Sequence, residues 1–267
     1  MNDNLKSKLL LGLGVTLVGL YHYKQASSQI SSKKASSIAS TDRARLIICG
    51  SVNADIVIDV DRLPLAGETV AASRSDTGNF FPGGKGANTA VSAARLQSPN
   101  IDVQFAGMFG QDSYGDSMKT IMTQAGCDLS ISGSPENSAI PTGTAYIFLQ
   151  ANGQNSIIIV GGANVNWPHY PAKSPQNSSL NDSKQINNLS PLFQTSLIDK
   201  NTKMVMLQRE IPDEVNLQIA KLAHSKGIPV FQDLGGKDGP LPAELLPLLY
   251  CVSQSLLLLY IYVLCTL

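Results

Sequence analysis

Gly83-Gly84-Lys85-Gly86-Ala87-Asn88 is the stretch on which the reading of this chain turns. Its three glycines strip side chains from a tight turn and let backbone N–H groups approach a ligand. Thr89 to Leu96, directly after it, reads as a helix, with Ala90, Val91, Ala93, Ala94 and Leu96 supplying apolar and small positions. A glycine turn feeding a helix gathers unpaired N–H donors and the positive end of the helix dipole at one point, which suits an anion or a polyhydroxylated ligand. The spacing is not that of a P-loop, because Gly86 follows Lys85 where Ser or Thr should bind magnesium. By itself the turn leaves two readings open, a ligand site or only a tight turn.

Working outward, Leu46-Ile47-Ile48-Cys49-Gly50 reads as a short apolar strand ending in glycine, and Ser51-Val52-Asn53-Ala54-Asp55 continues from its carboxyl end. Ligands of open α/β sheets sit at that end, so Asn53 and Asp55 are candidates for binding hydroxyls. A carboxylate and an amide can each engage two sugar hydroxyls in fixed geometry. The alternative is that they only close a turn. Met204-Val205-Met206-Leu207-Gln208 has the pattern of a buried strand with Arg209 and Glu210 at its end, which gives Glu210 the same location in the sheet as Asp55.

The remaining elements follow the same alternation. Residues 56–60 and 69–72, on either side of a turn at Pro64, Gly67 and Glu68, read as a strand pair leading back into the glycine turn. Val103 to Gly107 is a further strand, and a helix with Asp112 as its N-cap runs through Met118, Ile121 and Met122. Thr144–Leu149 and Ser156–Val160 flank Asn152-Gly153, a hairpin signal. Asp213–Ser225 is an amphipathic helix stopped by Gly227, and Ile228–Asp233 is a strand before Gly235-Gly236. Strand and helix alternation from 46 to 234 defines an α/β fold, a mostly parallel sheet with helices on its faces.

Composition bounds the function classes. The 20 basic and 20 acidic residues cancel, so no global field argues for nucleic acid. Cys49, Cys127, Cys251 and Cys265 lie far apart without a CxxC pair, and His22, His169 and His224 have no metal-ligand spacing, so no metal site is expected. A mean hydropathy of +0.03 averages over ends that are unlike the middle. Residues 1–44 are basic, serine-rich and nearly free of acid, the composition of an organelle transit peptide, with a short glycine-interrupted apolar run at 9–21 that leaves a membrane anchor as the alternative. The expected compartment is a plastid or mitochondrion, with the cytoplasm as alternative. Residues 166–188 are rich in Pro, Ser, Asn and Lys and are expected to be a polar insert.

Four segments in order resemble the ribokinase-like (PfkB) carbohydrate kinase family: Gly50-Ser51-Val52-Asn53-Ala54-Asp55, Gly67-Glu68-Thr69, Gly83 to Asn88, and Gly107 through Gly110, Asp112 and Gly115. The ordered set is far more specific than any one member, and it covers about residues 45–252. The resemblance implies that Asn53, Ala54, Asp55, Gly84, Lys85, Gly86, Ala87, Asn88 and Glu210 bind the sugar. It also implies a small β-lid from about 56–82 and 144–160, through which a homodimer is a possible contact. The activity implied is transfer of the γ-phosphoryl of ATP to the 5-hydroxyl of ribose, with Mg2+ and a monovalent cation, K+, as cofactors. A kinase for another sugar or nucleoside, and a non-catalytic sugar-binding or dimerising module, are the alternatives.

In the family the catalytic aspartate of a Gly-x-Gly-Asp or Ala-Gly-Asp motif, an Asn-x-x-Glu segment and the adenine pocket lie in the C-terminal half. None is found in this sequence, so no catalytic residue is assigned and the nucleotide half is expected to be missing. Residues 253–267 form an apolar tail where the family would continue into Pro-Asn-Glu. An altered reading frame is favoured over a membrane span for it, because Pro247 and Gln254 interrupt the run and no Lys or Arg flanks it.

Overall fold

The computed structural model describes residues 43–96, 98, 100–167, 197–237 and 239–253. The leader, the polar insert beyond Trp167 and the tail beyond Ser253 lie outside the described residues. In chain order the elements are β1 (Ala44–Cys49), β2 (Asn53–Val60), β3 (Asn79–Gly83), α1 (Lys85–Arg95), β4 (Ile101–Ala106), α2 (Ser113–Gln124), β5 (Gly143–Gln150), β6 (Asn155–Val160), a 3-10 turn (Gly162–Val165), β7 (Thr202–Leu207), α3 (Asp213–Ser225), β8 (Val230–Asp233), a second 3-10 turn (Leu246–Leu248) and β9 (Cys251–Ser253).

Among the described residues, five strands form one sheet in the order β4-β1-β7-β8-β9, and every neighbouring pair in it is parallel. The alternation of strands and helices along the chain dictates this, since parallel neighbours need crossover connections. β1 and β7 are central and buried on both faces, which is why they read as unbroken apolar runs. Parity divides their side chains. Ile47 and Cys49 of β1 join Val205 and Leu207 of β7 in one core, covered by Val215, Ile219, Ala220 and Ala223 from one face of α3. Leu46 and Met206 point the other way, toward Thr89, Ala93 and Ala94 of α1 across a cavity. Helices therefore cover both faces of the sheet.

The second sheet has the order β3-β2-β5-β6. Of two compact units, the smaller comprises, among the described residues, 56–80 and 146–158, and the larger comprises the remaining described residues. Asn152-Gly153 makes the tight turn read from sequence, with Gly153 at φ 86° and Gln150 N–H bonded to Gln154 O at 2.8 Å. The expected strand at 69–72 does not form; β2 is followed by irregular chain until β3. That segment is held by isolated backbone hydrogen bonds, Ser73 N–H to Asp59 O and Gly78 N–H to Val57 O, both at 2.8 Å, and by the Arg62–Glu68 and Arg74–Asp76 ion pairs. Among the described residues no helix is long and apolar enough to cross a membrane.

α2 begins where expected. Asp112 Oδ1 accepts the Gly115 N–H at 2.8 Å as N-cap and the Thr142 hydroxyl at 2.7 Å, while Oδ2 accepts the Thr142 N–H at 2.7 Å. One carboxylate thus caps a helix and ties it to the segment entering β5. Asp112→Ala removes a cap and orphans two further donors, and should lower the unfolding free energy by about 2–4 kcal/mol in urea titration. A loss below about 0.5 kcal/mol would contradict this role.

Candidate functional site

The site grows from the carboxyl ends of β1 and β7. β1 delivers Gly50-Ser51-Val52, and the chain then enters β2 directly at Asn53. The sequence placed Asn53 and Asp55 in a connection beyond the first strand; they are instead the first and third residues of β2. Period-two alternation puts both on one face of that strand. Ala54 lies on the other and is fully buried, so it has only backbone groups to offer a ligand.

α1 starts at Lys85, a full turn earlier than the apolar pattern indicated, because Gly84 at φ 90° caps it. Only glycine takes that backbone conformation without strain. The helix lies so close to β1 that a Cβ at Gly86 would sit 2.5 Å from Ser51 N. This proximity decides the fate of the N–H groups at the helix start. Lys85 N–H donates to Glu210 Oε2 at 2.9 Å, Gly86 N–H to Ser51 Oγ at 3.4 Å, and Ala87 N–H to Ser51 O at 2.9 Å. The donors that the sequence left open for an anion are met from within. Glu210 carries the negative charge that the helix dipole favours.

Glu210 is held a second time, since the Ser51 hydroxyl donates to the same Oε2 at 2.6 Å. Its own N–H is bonded to the side-chain oxygen of Gln208, whose backbone carbonyl accepts from the buried Asn216 amide at 2.7 Å. Arg209, between them, is buried and ties down the Gly239 and Pro240 carbonyls at 2.6 and 3.0 Å. Both hydrogen bonds to the Glu210 carboxylate fall on one oxygen, so Oε1 has no partner among the described residues.

Asp55 is the second carboxyl of the site. It packs under the turn, since a Cβ at Gly83 would lie 2.1 Å from Asp55 Oδ2. Burial, reinforced by the charge of Glu210, pushes its pKa up to about 7. The Asp55 side chain accepts no hydrogen bond from the described residues. Lys85 is half-buried, and a Cβ at Gly235 would lie 3.1 Å from its Nζ, so the ammonium reaches the loop after β8. Among the described residues it has no ion-pair partner. Asn88 is exposed one turn into α1, three residues after Lys85 and on the same side of the helix.

Asn53, Asp55, Lys85 and Glu210 are thereby brought to one end of the parallel sheet, with Gly84, Gly86 and Ala87 forming its backbone wall. Two residues with a part in it were not singled out from sequence. Ser51 lies inside a quoted motif, and only the closeness of α1 reveals that its hydroxyl links two elements. Asn164, in the 3-10 turn, bonds Asn53 Oδ1 at 2.7 Å, and 111 residues of chain separate the two. Among the described residues, no group of three or more His, Cys, Asp or Glu side chains is arranged to hold a metal ion.

An open parallel sheet with two carboxyl groups gathered at its carboxyl end has the architecture in which α/β proteins place small-molecule ligands. The profile of the pfkB family carbohydrate kinases matches residues 43–253, and the chain belongs to that family. It is similar to ribokinase of Arabidopsis thaliana, 38% identical over 211 residues that make up 79% of this chain and 49% of the relative. Ribokinase of Bacillus subtilis is 34% identical over 185 residues, 69% of this chain and 53% of the relative. Among solved structures, Arabidopsis thaliana ribokinase complexed with ribose and ATP superposes with a TM-score of 0.60 at 38% identity, covering 79% of this chain and 59% of that one. The chain thus spans about half the length of the curated relatives it matches.

The raised Asp55 pKa has a thermodynamic sign. In the unfolded chain Asp55 titrates near its ordinary value of 3.8, and in the folded chain near 7, so folding favours the protonated form. The stability this adds is complete below the unfolded value and is lost as pH rises from there through 7. The full shift corresponds to about 4 kcal/mol, and partial exposure of the carboxyl screens this to about 1–2 kcal/mol. Asp55→Asn should flatten the stability profile between pH 4 and 8 by that amount, leaving the variant more stable than the parent at pH 8. Parallel profiles in urea titrations at pH 4, 6 and 8 would contradict the assignment.

Proposed function

We propose that the complete protein phosphorylates ribose on its 5-hydroxyl with ATP, and that this chain supplies its sugar-binding part. The observation carrying this is the pair of carboxyl groups, Glu210 anchored by hydrogen bonds and Asp55 largely buried without one among the described residues, set beside Asn53 and Lys85 at the end of a parallel sheet. A pentose offers several hydroxyls that both donate and accept. Asp55 and the open Oε1 of Glu210 accept from them, and the Asn53 amide and Lys85 ammonium donate to them. Holding the sugar by its ring hydroxyls fixes the direction of the 5-hydroxyl. Such alignment is the main requirement of phosphoryl transfer.

The residues described here do not fit the nucleotide. The first N–H groups of α1, the donors a phosphate would use, are taken by Glu210 and Ser51. ATP, Mg2+ and K+ belong to the proposal by family resemblance alone. We propose that the 267-residue chain alone binds ribose without turning it over. We further propose that the basic leader directs the protein to a plastid or mitochondrion, a reading that rests on its composition.

A second reading, a non-catalytic dimerising module, draws on the smaller unit. There Tyr146, Ile157 and Ile158 expose apolar side chains, with Ile158 at 58%. A homodimer through this sheet would cover them.

Calorimetry on the full chain with a panel of pentoses, hexoses and nucleosides tests the substrate. Ribose is expected to bind best. Because the acceptor form of Asp55 is the ionised one, affinity should weaken by about tenfold for each pH unit below 7. Preference for another sugar moves the substrate class, and no sugar binding at all overturns the reading. Ribose-dependent ADP release at the rate of an intact kinase would overturn the proposed lack of turnover.

A further inference from the structure

Asn53 is 3% exposed, and the polarity of its amide is dictated by a residue that does not face the proposed sugar. The backbone of Val52 leaves no choice of donor and acceptor. Val52 N–H donates to Asn164 Oδ1 at 2.8 Å, and Val52 O accepts from Asn164 Nδ2 at 2.9 Å. An N–H can meet only an oxygen and a carbonyl only a donor, so the Asn164 amide has one permitted orientation. Its second Nδ2 hydrogen then points to Asn53 at 2.7 Å, and Asn53 must answer with Oδ1.

The surroundings keep the pair in place. Asn164 is 2% exposed, its carbonyl accepts the Trp167 indole N–H at 2.8 Å, and its N–H bonds Gly161 O at 3.0 Å. A side chain at Gly143 would meet both amides, its Cβ lying 2.1 Å from Asn164 Nδ2 and 2.5 Å from Asn53 Oδ1. Asn53 Nδ2 bonds none of the described residues, yet it is not among the buried unpaired atoms, so it opens to solvent.

We infer that Asn164 is a positioning residue that fixes Asn53 as an obligate hydrogen-bond donor to the sugar. A protein amide free to rotate would serve a donor or an acceptor equally; this one serves only an acceptor. Beside Asp55 and Glu210, which accept, Asn53 makes the site discriminate the direction of each hydroxyl hydrogen bond. Such a site rejects a ligand that presents a donor where an acceptor is required, because a buried polar group is then left unpaired. The consequence for the ligand rests on the sugar-binding reading above; the orientation of the amide pair does not.

Side-chain amide exchange by NMR on the full 15N-labelled chain tests the orientation without ligand. Both Asn164 Nδ2 protons should exchange slowly and those of Asn53 rapidly, with the Asn53 protons slowing on addition of ribose. Slow Asn53 and rapid Asn164 protons would overturn the inference even if the chain binds no sugar. If ribose is not bound, the sugar reading fails while this exchange pattern still decides the pair. Asn164→Asp presents only acceptors, forcing Asn53 to turn and donate inward; its protons should become protected and the ribose Kd should rise about ten- to hundredfold. Should that variant not fold, Asn53→Asp keeps the Asn164 donor and faces the sugar with an acceptor, and a similar rise is expected with Asn164 still protected. Ribose affinity equal to the parent in either folded variant would overturn the inference.

Discussion

One carboxylate oxygen, Oε2 of Glu210, joins the three segments from which the site is built. It receives the Ser51 hydroxyl from the end of β1 and the Lys85 N–H from the start of α1, while Glu210 itself hangs from the end of β7. Placing a carboxylate at a helix N-terminus is favourable electrostatically, and here it also determines what the site can bind. With the helix donors already engaged, an anion has no cradle in this place. The groups left open are side chains of mixed polarity, which suits the neutral, hydroxyl-rich ligand proposed above.

The same constraint explains the glycines. Ser51 reaches both Glu210 and the Gly86 N–H only because α1 approaches the backbone of β1 more closely than any side chain at position 86 would allow. Gly84 meanwhile turns the chain from β3 into α1 through a positive φ. The turn serves tight packing, and the ligand placement proposed above would use the same close approach.

The burial of Asp55 near Glu210 shows how the fold tunes chemistry without a specialised residue. Asp55 is a carboxyl of ordinary intrinsic acidity, and burial first, then the nearby Glu210 charge, raises its pKa. Asn53 and Asn164 illustrate a parallel principle for neutral groups. The fixed polarity of the Val52 peptide is handed along the Asn164 amide to that of Asn53.

Much of this was legible in the chain itself. The apolar runs of β1 and β7, the amphipathic spacing of α3 and the Asp112 cap specify a parallel sheet covered on both faces, because burial and capping are local demands that leave periodic traces. The ordered motifs likewise name Asn53, Asp55, Lys85, Asn88 and Glu210. The start of α1 and the extension of β2 back to Asn53 were not legible, since glycine and polar residues hide regular structure when tertiary contacts enforce it. Nor was the capture of the helix N–H groups by Glu210, nor the orientation of Asn53 by Asn164. Those depend on atoms separated by 125 and 111 residues meeting within hydrogen-bond distance, and only the folded chain supplies that proximity.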